Sequence, residues 1–409
     1  MKVILSLDRK LRTNLLILFV AGLLFWSSMA SLLATLPLYV ADVGANKQEI
    51  GIVMGSFAIG LLSFRSSLGR LADRRGRKIV LLIGTGVVSI APLLYLGVSS
   101  VPLLMTVRAF HGISIAAFST AYAALIADLA PEENRGEVIG YMSLVTSLGV
   151  AIGPALGSYV QEAFGYSPLF ILSSGLGFAS MSCTAKVVNP PTEAQIQTKA
   201  VGEKFWRLLV SPRVRTPAMI LLLIGLTFGT MRNFVPLFIK ETQIELSPGL
   251  FYTASAIASF SVRLLVGRAA DRYGRGLFVT ISLVLYTAAM LSIRFAYNSQ
   301  TFLIAGAIEG AGSGILIPMM SAIIADRALA KERGKMFGLC MTGFDLGIAI
   351  AGPVIGFVAQ EIGYRNIFAC AASLAFLAII IFLTLSSKDL PNSLRFALGR
   401  TGDTYALNQ

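Results

Sequence analysis

Of the ionisable residues inside the long apolar runs of this sequence, five are the strongest candidates for chemistry: Arg108, His111, Arg232, Glu309 and Asp345. Ionised groups are costly in such surroundings, so their presence there points to a function. A carboxyl group in an apolar site favours its neutral form and can load and release a proton near physiological pH. An arginine can bind an anion there, or it can pair with a carboxylate and merely hold two helices together. The sequence therefore predicts a proton or substrate pathway, with a structural ion pair as the alternative.

The runs that carry these residues indicate a membrane protein. Of the 409 residues, 55% are hydrophobic and only 13% are charged, and the mean hydropathy is +0.75. Apolar runs of roughly 20 residues, the length that a bilayer core requires, occur about twelve times. The predicted spans are about 13–41, 50–68, 79–98, 102–127, 137–161, 166–187, 217–239, 250–267, 277–296, 301–325, 336–359 and 364–386.

The distribution of positive charge predicts the topology. A net charge of +13 would suggest a nucleic-acid partner in a soluble protein, but here most Lys and Arg residues lie between spans on one predicted side. An excess of this kind marks the cytoplasmic face and places both termini there. Compact loops suit a bacterial inner membrane. We therefore expect the lipid bilayer, and no nucleic acid, as the environment of the chain.

One basic segment occurs twice. Gly69–Lys78 reads GRLADRRGRK, and Gly267–Gly276 reads GRAADRYGRG 198 residues later. We call these the signature segments, and each is predicted to be a loop between two spans. Other residues match at the same offset, including Gly112 with Gly310 and Ala127-Asp128 with Ala325-Asp326. Internal repeats of this length are typical of transporters.

The signature segments resemble the Gly-x-x-x-Asp-Arg/Lys-x-Gly-Arg-Arg/Lys motif of the major facilitator superfamily. Within that superfamily the chain is most similar to the 12-helix drug/proton antiporters, on the Pro-containing end of its first span, Thr35–Val40. The resemblance implies an all-α, polytopic fold of two pseudo-symmetric six-helix bundles, with twelve transmembrane helices and a substrate cavity between the bundles. It also implies that the segments latch the bundles, with Gly69 permitting close helix approach. The alternative is that they only fix topology, which needs Arg and Lys but not Asp. The gating residues would be Gly69, Asp73, Arg74, Gly76 and Arg77 in the first copy, and Gly267, Asp271, Arg272, Gly274 and Arg275 in the second, which ends in Gly276 instead of a basic residue.

The fourth and fifth spans carry two further resemblances. Arg108 and His111-Gly112 are similar to a superfamily motif in which an embedded Arg precedes Gln-Gly, and in proton-coupled members that Arg is linked to proton transfer. His111 stands in place of the Gln, and it could switch charge near neutrality or simply form a hydrogen bond in the core. Gly149, Gly153-Pro154 and Gly157 resemble a motif of exporters, with Ser158 in place of the last Gly. Small residues at this spacing also let a neighbouring helix approach closely, which is a sufficient structural reason for them.

The pattern predicts three parts of the chain. An N-terminal six-helix bundle covers residues 1–188, a cytoplasmic linker with an amphipathic segment covers 189–215, and a C-terminal bundle with a short tail covers 216–409. The tail after Ser387 is polar and is predicted to be poorly ordered.

These observations predict a proton-coupled exporter of small organic or drug-like compounds that works by alternating access. Arg108, His111, Arg232, Glu309 and Asp345 would form its substrate and proton pathway. The chain lacks Walker A and nucleophile-elbow motifs, so we expect no enzyme activity, no cofactor and no metal, and we expect a monomer whose partners are a small-molecule substrate and protons. One alternative is an uptake symporter or facilitator for an organic anion or sugar, with Arg108 and Arg232 binding the anion. Another is a membrane sensor that does not transport.

Overall fold

The computed structural model describes residues 7–131, 135–188, 211–329 and 333–407. The side chain of Asp271 and almost all of the predicted linker, residues 189–210, lie outside the described part. Helices make up most of the remainder, and their bounds follow local signals in the sequence. For example, Asn46 and Glu49 form a reciprocal capping box at the start of one helix, and the Asn298 side chain accepts a hydrogen bond from the backbone N–H of Thr301 at the start of another.

The first half of the described chain forms α1 to α7. Their bounds are Arg9–Ser31, Leu36–Asp42, Lys47–Arg75, Arg77–Leu96, Val101–Leu129, Arg135–Phe164 and Tyr166–Lys186. The second half forms α8 to α13, with bounds Pro212–Glu241, Pro248–Tyr273, Arg275–Arg294, Ser299–Asp326, Arg333–Leu385 and Leu390–Ala397.

Twelve of the segments within these helices can cross a membrane. In the described ranges, eleven helices are long and apolar enough, with α1 and α2 together counting as one, Arg9–Asp42. The last, Met336–Leu385, has 50 residues, which would extend for about 75 Å as one helix and exceed a ~30 Å hydrocarbon layer more than twofold. Gly363 breaks it with a φ of 80° and divides it into two spans. The predicted all-α fold with twelve spans is thereby confirmed.

The chain folds into two compact units. One contains residues 1–197 and 247–253, and the other contains residues 198–246 and 254–409. Each unit has its own buried apolar core. Phe25 and Phe118 stack at a centroid distance of 3.8 Å in the core of the first, and the core of the second surrounds Tyr286 and Leu316.

The sequence predicted that the signature segments are loops, and this prediction is wrong. The helix α3 continues through Arg75, and only Gly76, with a φ of 94°, separates it from α4. In the second copy α9 continues through Tyr273, and Gly274 alone, with a φ of 90°, separates it from α10. Basic residues do not interrupt a helix that extends beyond the apolar region, so the spans end earlier than the helices. Glycine adopts these positive φ values without steric cost.

The prediction of a poorly ordered tail is also wrong. Residues 388–407 fold onto the second unit and include α13, whose first turn is capped by Asp389. Arg327 is 1% exposed, and its guanidinium holds both carboxylate oxygens of Asp403, at 2.6 and 3.1 Å. The Leu407 N–H donates to the carbonyl oxygen of Asp326. The polar composition of the tail suggested disorder. Its order could not be foreseen, because its partner Arg327 lies 76 residues before Asp403 in the sequence.

Candidate functional site

Two glycines place the predicted pathway residues against neighbouring helices. A Cβ on Gly112 of α5 would lie 1.9 Å from the carbonyl oxygen of Phe57 on α3. A Cβ on Gly310 of α11 would lie 1.9 Å from the carbonyl oxygen of Ser255 on α9. Only glycine allows such close backbone contact. Ser255 follows Phe57, and Gly310 follows Gly112, by the same 198 residues that separate the signature segments, so the two contacts are copies of each other.

The first copy of this contact brings an aromatic and cationic cluster together. The Arg108 guanidinium carbon lies 4.5 Å from the ring centroid of Phe57, a cation–π distance. His111 is fully buried, and its Nδ1 lies 3.4 Å from the Tyr95 hydroxyl. The Nε atom of Arg108 and the Nε2 atom of His111 are buried without a hydrogen-bond partner among the described residues. No described carboxylate of the same unit lies within ion-pair distance of Arg108.

The second copy places an acid where the first has a histidine. Glu309 follows His111 by 198 residues and is fully buried. The Ser255 hydroxyl donates to Glu309 Oε2 at 2.5 Å, whereas Oε1 is buried without a described partner. Glu309 makes no ion pair with a described residue of its unit, so the alternative of a structural ion pair with Arg232 has no support.

Arg232 and Asp345 are the other predicted pathway residues of the second unit. Arg232 lies on α8 and Asp345 on the first part of α12, and both are half-buried. Each has at least one interaction partner. The helices that carry them pack closely, since a Cβ on Gly225 of α8 would lie 2.3 Å from the carbonyl oxygen of Phe344.

The first signature segment forms an ion-pair network at the junction of α3, α4 and α5. Arg77 pairs with Asp73 one turn earlier, and its Nε lies 3.3 Å from Oδ2 of Asp128 at the end of α5. Arg74 is exposed. A Cβ on Gly69 would have a Thr120 methyl carbon as its nearest neighbour, at 3.9 Å, which is an ordinary contact, so the role of Gly69 in the latch stays a prediction.

The second signature segment repeats this junction and adds the tail. Arg275 pairs with Asp326 at the end of α11. A Cβ on Gly276 would lie 2.1 Å from the carbonyl oxygen of Phe396 on α13, which explains why glycine replaces the basic residue of the first copy. The α-carbon of Gly399 would contact a Cβ on Gly274 at 3.2 Å. A Cβ on Gly267 would meet nothing within 4 Å, and Arg272 is exposed.

The glycine stripe of α6 packs against α1. Added Cβ atoms would lie 2.5 Å from Trp26 Cβ at Gly149, 2.6 Å from Ala30 Cβ at Gly153, and 2.0 Å from the Ser31 carbonyl oxygen at Gly157. Pro154 lies within the same helix. This packing is a complete structural reason for the three glycines.

Sequence reasoning missed four residues of these arrangements: Asp128, Asp326, Ser255 and Arg327. The repeated Ala-Asp pairs at 127–128 and 325–326 were the available signal for the two aspartates. Ser255 could have been found by applying the same offset to Phe57.

Comparison with known proteins places this arrangement in a family. The family model of the Major Facilitator Superfamily matches residues 18–262 and 245–402, which is nearly the whole chain. The chain belongs to the Major Facilitator Superfamily. This membership confirms the resemblance drawn from the signature segments. The protein is therefore a multi-pass membrane transporter and not an enzyme.

Two curated members of the superfamily and one solved structure illustrate the similarity. The Staphylopine export protein of Staphylococcus aureus (strain Mu50) is 26% identical, over 91% of this chain and 96% of its own. Multidrug resistance protein MdtG of Serratia proteamaculans is 22% identical, over 94% of this chain and 96% of its own. A point mutant of the nucleoside transporter NupG has the same fold, with a TM-score of 0.80 and 15% identity over 90% of this chain and 99% of its own.

Proposed function

We propose that this protein is a proton-coupled exporter of small organic compounds that works by alternating access, with Glu309 carrying the proton. The supporting observation is a fully buried carboxyl group with one hydroxyl partner and no cation in ion-pair distance among the described residues. A permanently ionised carboxylate would be very costly in this position, whereas a carboxyl group that is protonated during part of the cycle is tolerated. Asp345 is proposed as a second proton site, and Arg108, His111 and Arg232 as residues of the same pathway.

The direction of transport is argued from the relatives. Two similar proteins are named as an export protein and a multidrug resistance protein. In the proposed arrangement the protein acts as a monomer in the bacterial inner membrane. Both termini and both signature segments face the cytoplasm, and the linker 189–215 joins the bundles 1–188 and 216–409.

Inverted membrane vesicles provide the test. Respiration acidifies their interior, a pH-sensitive dye reports the gradient, and cationic, neutral and anionic compounds are added one at a time. We expect at least one compound to release protons from vesicles with the unaltered protein but not from vesicles with Glu309→Gln or Asp345→Asn. Glu245→Gln, at an exposed position outside the helices, is the matched control and should behave as the unaltered protein. Proton release that persists in both pathway variants would contradict the assignment of the proton sites.

The buried cluster of the first unit favours one competing function, uptake of an organic anion. Arg108 is a buried cation with aromatic neighbours and without a described carboxylate partner in its unit, which is an arrangement able to bind an anion. If it binds the substrate, Arg108→Gln abolishes binding of an anionic compound to the purified protein, while Arg108→Lys retains part of it. If it serves proton coupling, binding survives and only coupled transport is lost.

A further inference from the structure

The contact between α9 and α11 fixes one hydroxyl group beside Glu309. The backbone oxygen of Ser255 occupies the space that a side chain on residue 310 would need, and one turn later the Ser259 oxygen would lie 2.5 Å from a Cβ on Gly314. Two successive glycine contacts set the register of the helices, and this register holds the Ser255 hydroxyl 2.5 Å from Glu309 Oε2.

We propose that Ser255 is a positioning residue of the transport cycle, which keeps the Glu309 carboxyl group oriented in both of its protonation states. The proposal rests on the proposed function of Glu309 as proton carrier. A serine hydroxyl suits the task because it has one donor and two acceptor sites. It donates to the carboxylate and can accept from the protonated carboxyl group without any movement of the backbone. Oε1 is buried and has no described partner, so Ser255 is the group that fixes the orientation of the carboxyl group.

Other ionisable groups near this site do not replace the hydroxyl. Tyr286 on α10 is fully buried and close enough to Glu309 to interact with it electrostatically. Arg263 on α9 interacts electrostatically with Tyr286. Arg232 on α8 and Asp345 on α12 are the ionisable groups of the pathway on the remaining helices of this unit. None of these residues forms an ion pair with Glu309, so the hydrogen bond from Ser255 is the one polar contact that the described residues give its side chain.

The first unit shows what the same backbone contact does with other side chains. In the first unit, Phe57 stands at the position of Ser255 and His111 at the position of Glu309, and their ring centroids lie 5.9 Å apart. This described pair therefore contains neither a hydroxyl group nor an acid. The glycine contact is therefore common to both units, whereas the pairing of a serine with a glutamate belongs to the second. A purely structural need for helix packing would be met by the backbone of residue 255 with any small side chain.

Infrared difference spectroscopy of the protein in lipid nanodiscs tests whether Ser255 orients the Glu309 carboxyl group. The carboxyl band that disappears in Glu309→Gln is the signal of Glu309, and it is followed as a function of pH. We expect Ser255→Ala to change the frequency of this band and to move its titration midpoint upward by about one pH unit, because the charged form loses its hydrogen-bond donor. Ser255→Thr, which keeps the hydroxyl, should restore the midpoint. Ser259→Ala is the matched control, one turn away in the same type of glycine contact, and should leave the band unchanged.

The outcomes separate this proposal from the proposed function. A Glu309 band that titrates identically in the unaltered protein and in Ser255→Ala overturns the role of Ser255 and leaves the proton site intact. A midpoint that moves equally in Ser259→Ala also overturns it, since a general packing change would then be the cause. The absence of any titrating band that depends on Glu309, together with unaltered transport by Glu309→Gln, overturns the proton site itself.

Discussion

Arg77 Nε lies 3.3 Å from Asp128 Oδ2, and this contact joins the start of α4 to the end of α5. The second unit repeats it with Arg275 and Asp326, each 198 residues later. The Asp side chains at the far ends of α5 and α11 thus belong to the signature segments in space, although they lie about fifty residues away in sequence.

The Asp128 carboxylate is expected to matter more for transport than for stability. Its side chain is 39% exposed, and exposed ion pairs contribute about 0–1 kcal/mol to the free energy of unfolding. We expect Asp128→Asn to lower that free energy by no more than about 1 kcal/mol and to slow transport several-fold, because Asp128 contacts the first signature segment, to which the resemblance assigns a latch between the bundles. Thermal unfolding and vesicle transport measure the two effects. Glu137→Gln, an exposed acid in the first turn of α6, serves as control, and a large loss of stability in Asp128→Asn would contradict the prediction.

Gly276 should be intolerant of any side chain while the tail is docked. Gly276→Ala places a carbon 2.1 Å from the Phe396 oxygen, and we expect it to destabilise the second unit by about 1–3 kcal/mol and to expose the tail to proteases. Gly267→Ala in the same segment meets nothing within 4 Å and lies inside a helix, so it should be neutral or stabilising by up to about 1 kcal/mol. Thermal unfolding and limited proteolysis of the purified protein would show this difference, and equal behaviour of the two variants would argue against tail docking.

Removing Asp403 should leave a buried arginine without its counter-ion. Arg327 is 1% exposed, and loss of one partner from a buried ion pair costs about 3–5 kcal/mol. We expect Asp403→Ala to lower the thermal unfolding midpoint well beyond the effect of Lys388→Ala, at an exposed position in the same tail. Matching midpoints for the two variants would show that the Arg327 contact is not formed in solution.

The glycine stripe of α6 offers a test within one helix. Gly157→Ala would bring a carbon to 2.0 Å from the Ser31 oxygen, so α1 and α6 must separate, at a cost of about 1–3 kcal/mol. Gly140→Ala, on the same helix, meets nothing within 4 Å and should be tolerated. Thermal unfolding of the two variants in detergent provides the comparison, and equal destabilisation of Gly140→Ala and Gly157→Ala would argue against the close contact with α1 as the cause.

Much of the fold could be predicted from the sequence because lipid imposes strong rules on it. Span length and internal repetition were sufficient for twelve helices in two halves. Helix ends were less predictable, since Arg74 and Arg75 suit water and also suit the last turn of a helix. The order of the tail could not be predicted, because it depends on Arg327 and Gly276, which approach it only after folding.

The sequence could predict which ionisable residues belong to the candidate site, but not which residues contact them. Apolar surroundings singled out Arg108, His111 and Glu309, whereas the hydroxyl that contacts Glu309 had no signal of its own. Ser255 is one of many serines in the chain, and only the glycine contact at residue 310 reveals which of them faces the acid.

The paired contacts at Phe57–Gly112 and Ser255–Gly310 also suggest how one half of the chain could acquire a chemistry that the other lacks. After a gene duplication, the glycines preserve the backbone while the adjoining side chains diverge without loss of packing. The side chains next to these two equivalent contacts can then be exchanged between the halves by protein engineering. Phe57→Ser combined with His111→Glu would transplant the acid and its hydroxyl into the first half, where a second proton could change the stoichiometry of coupling.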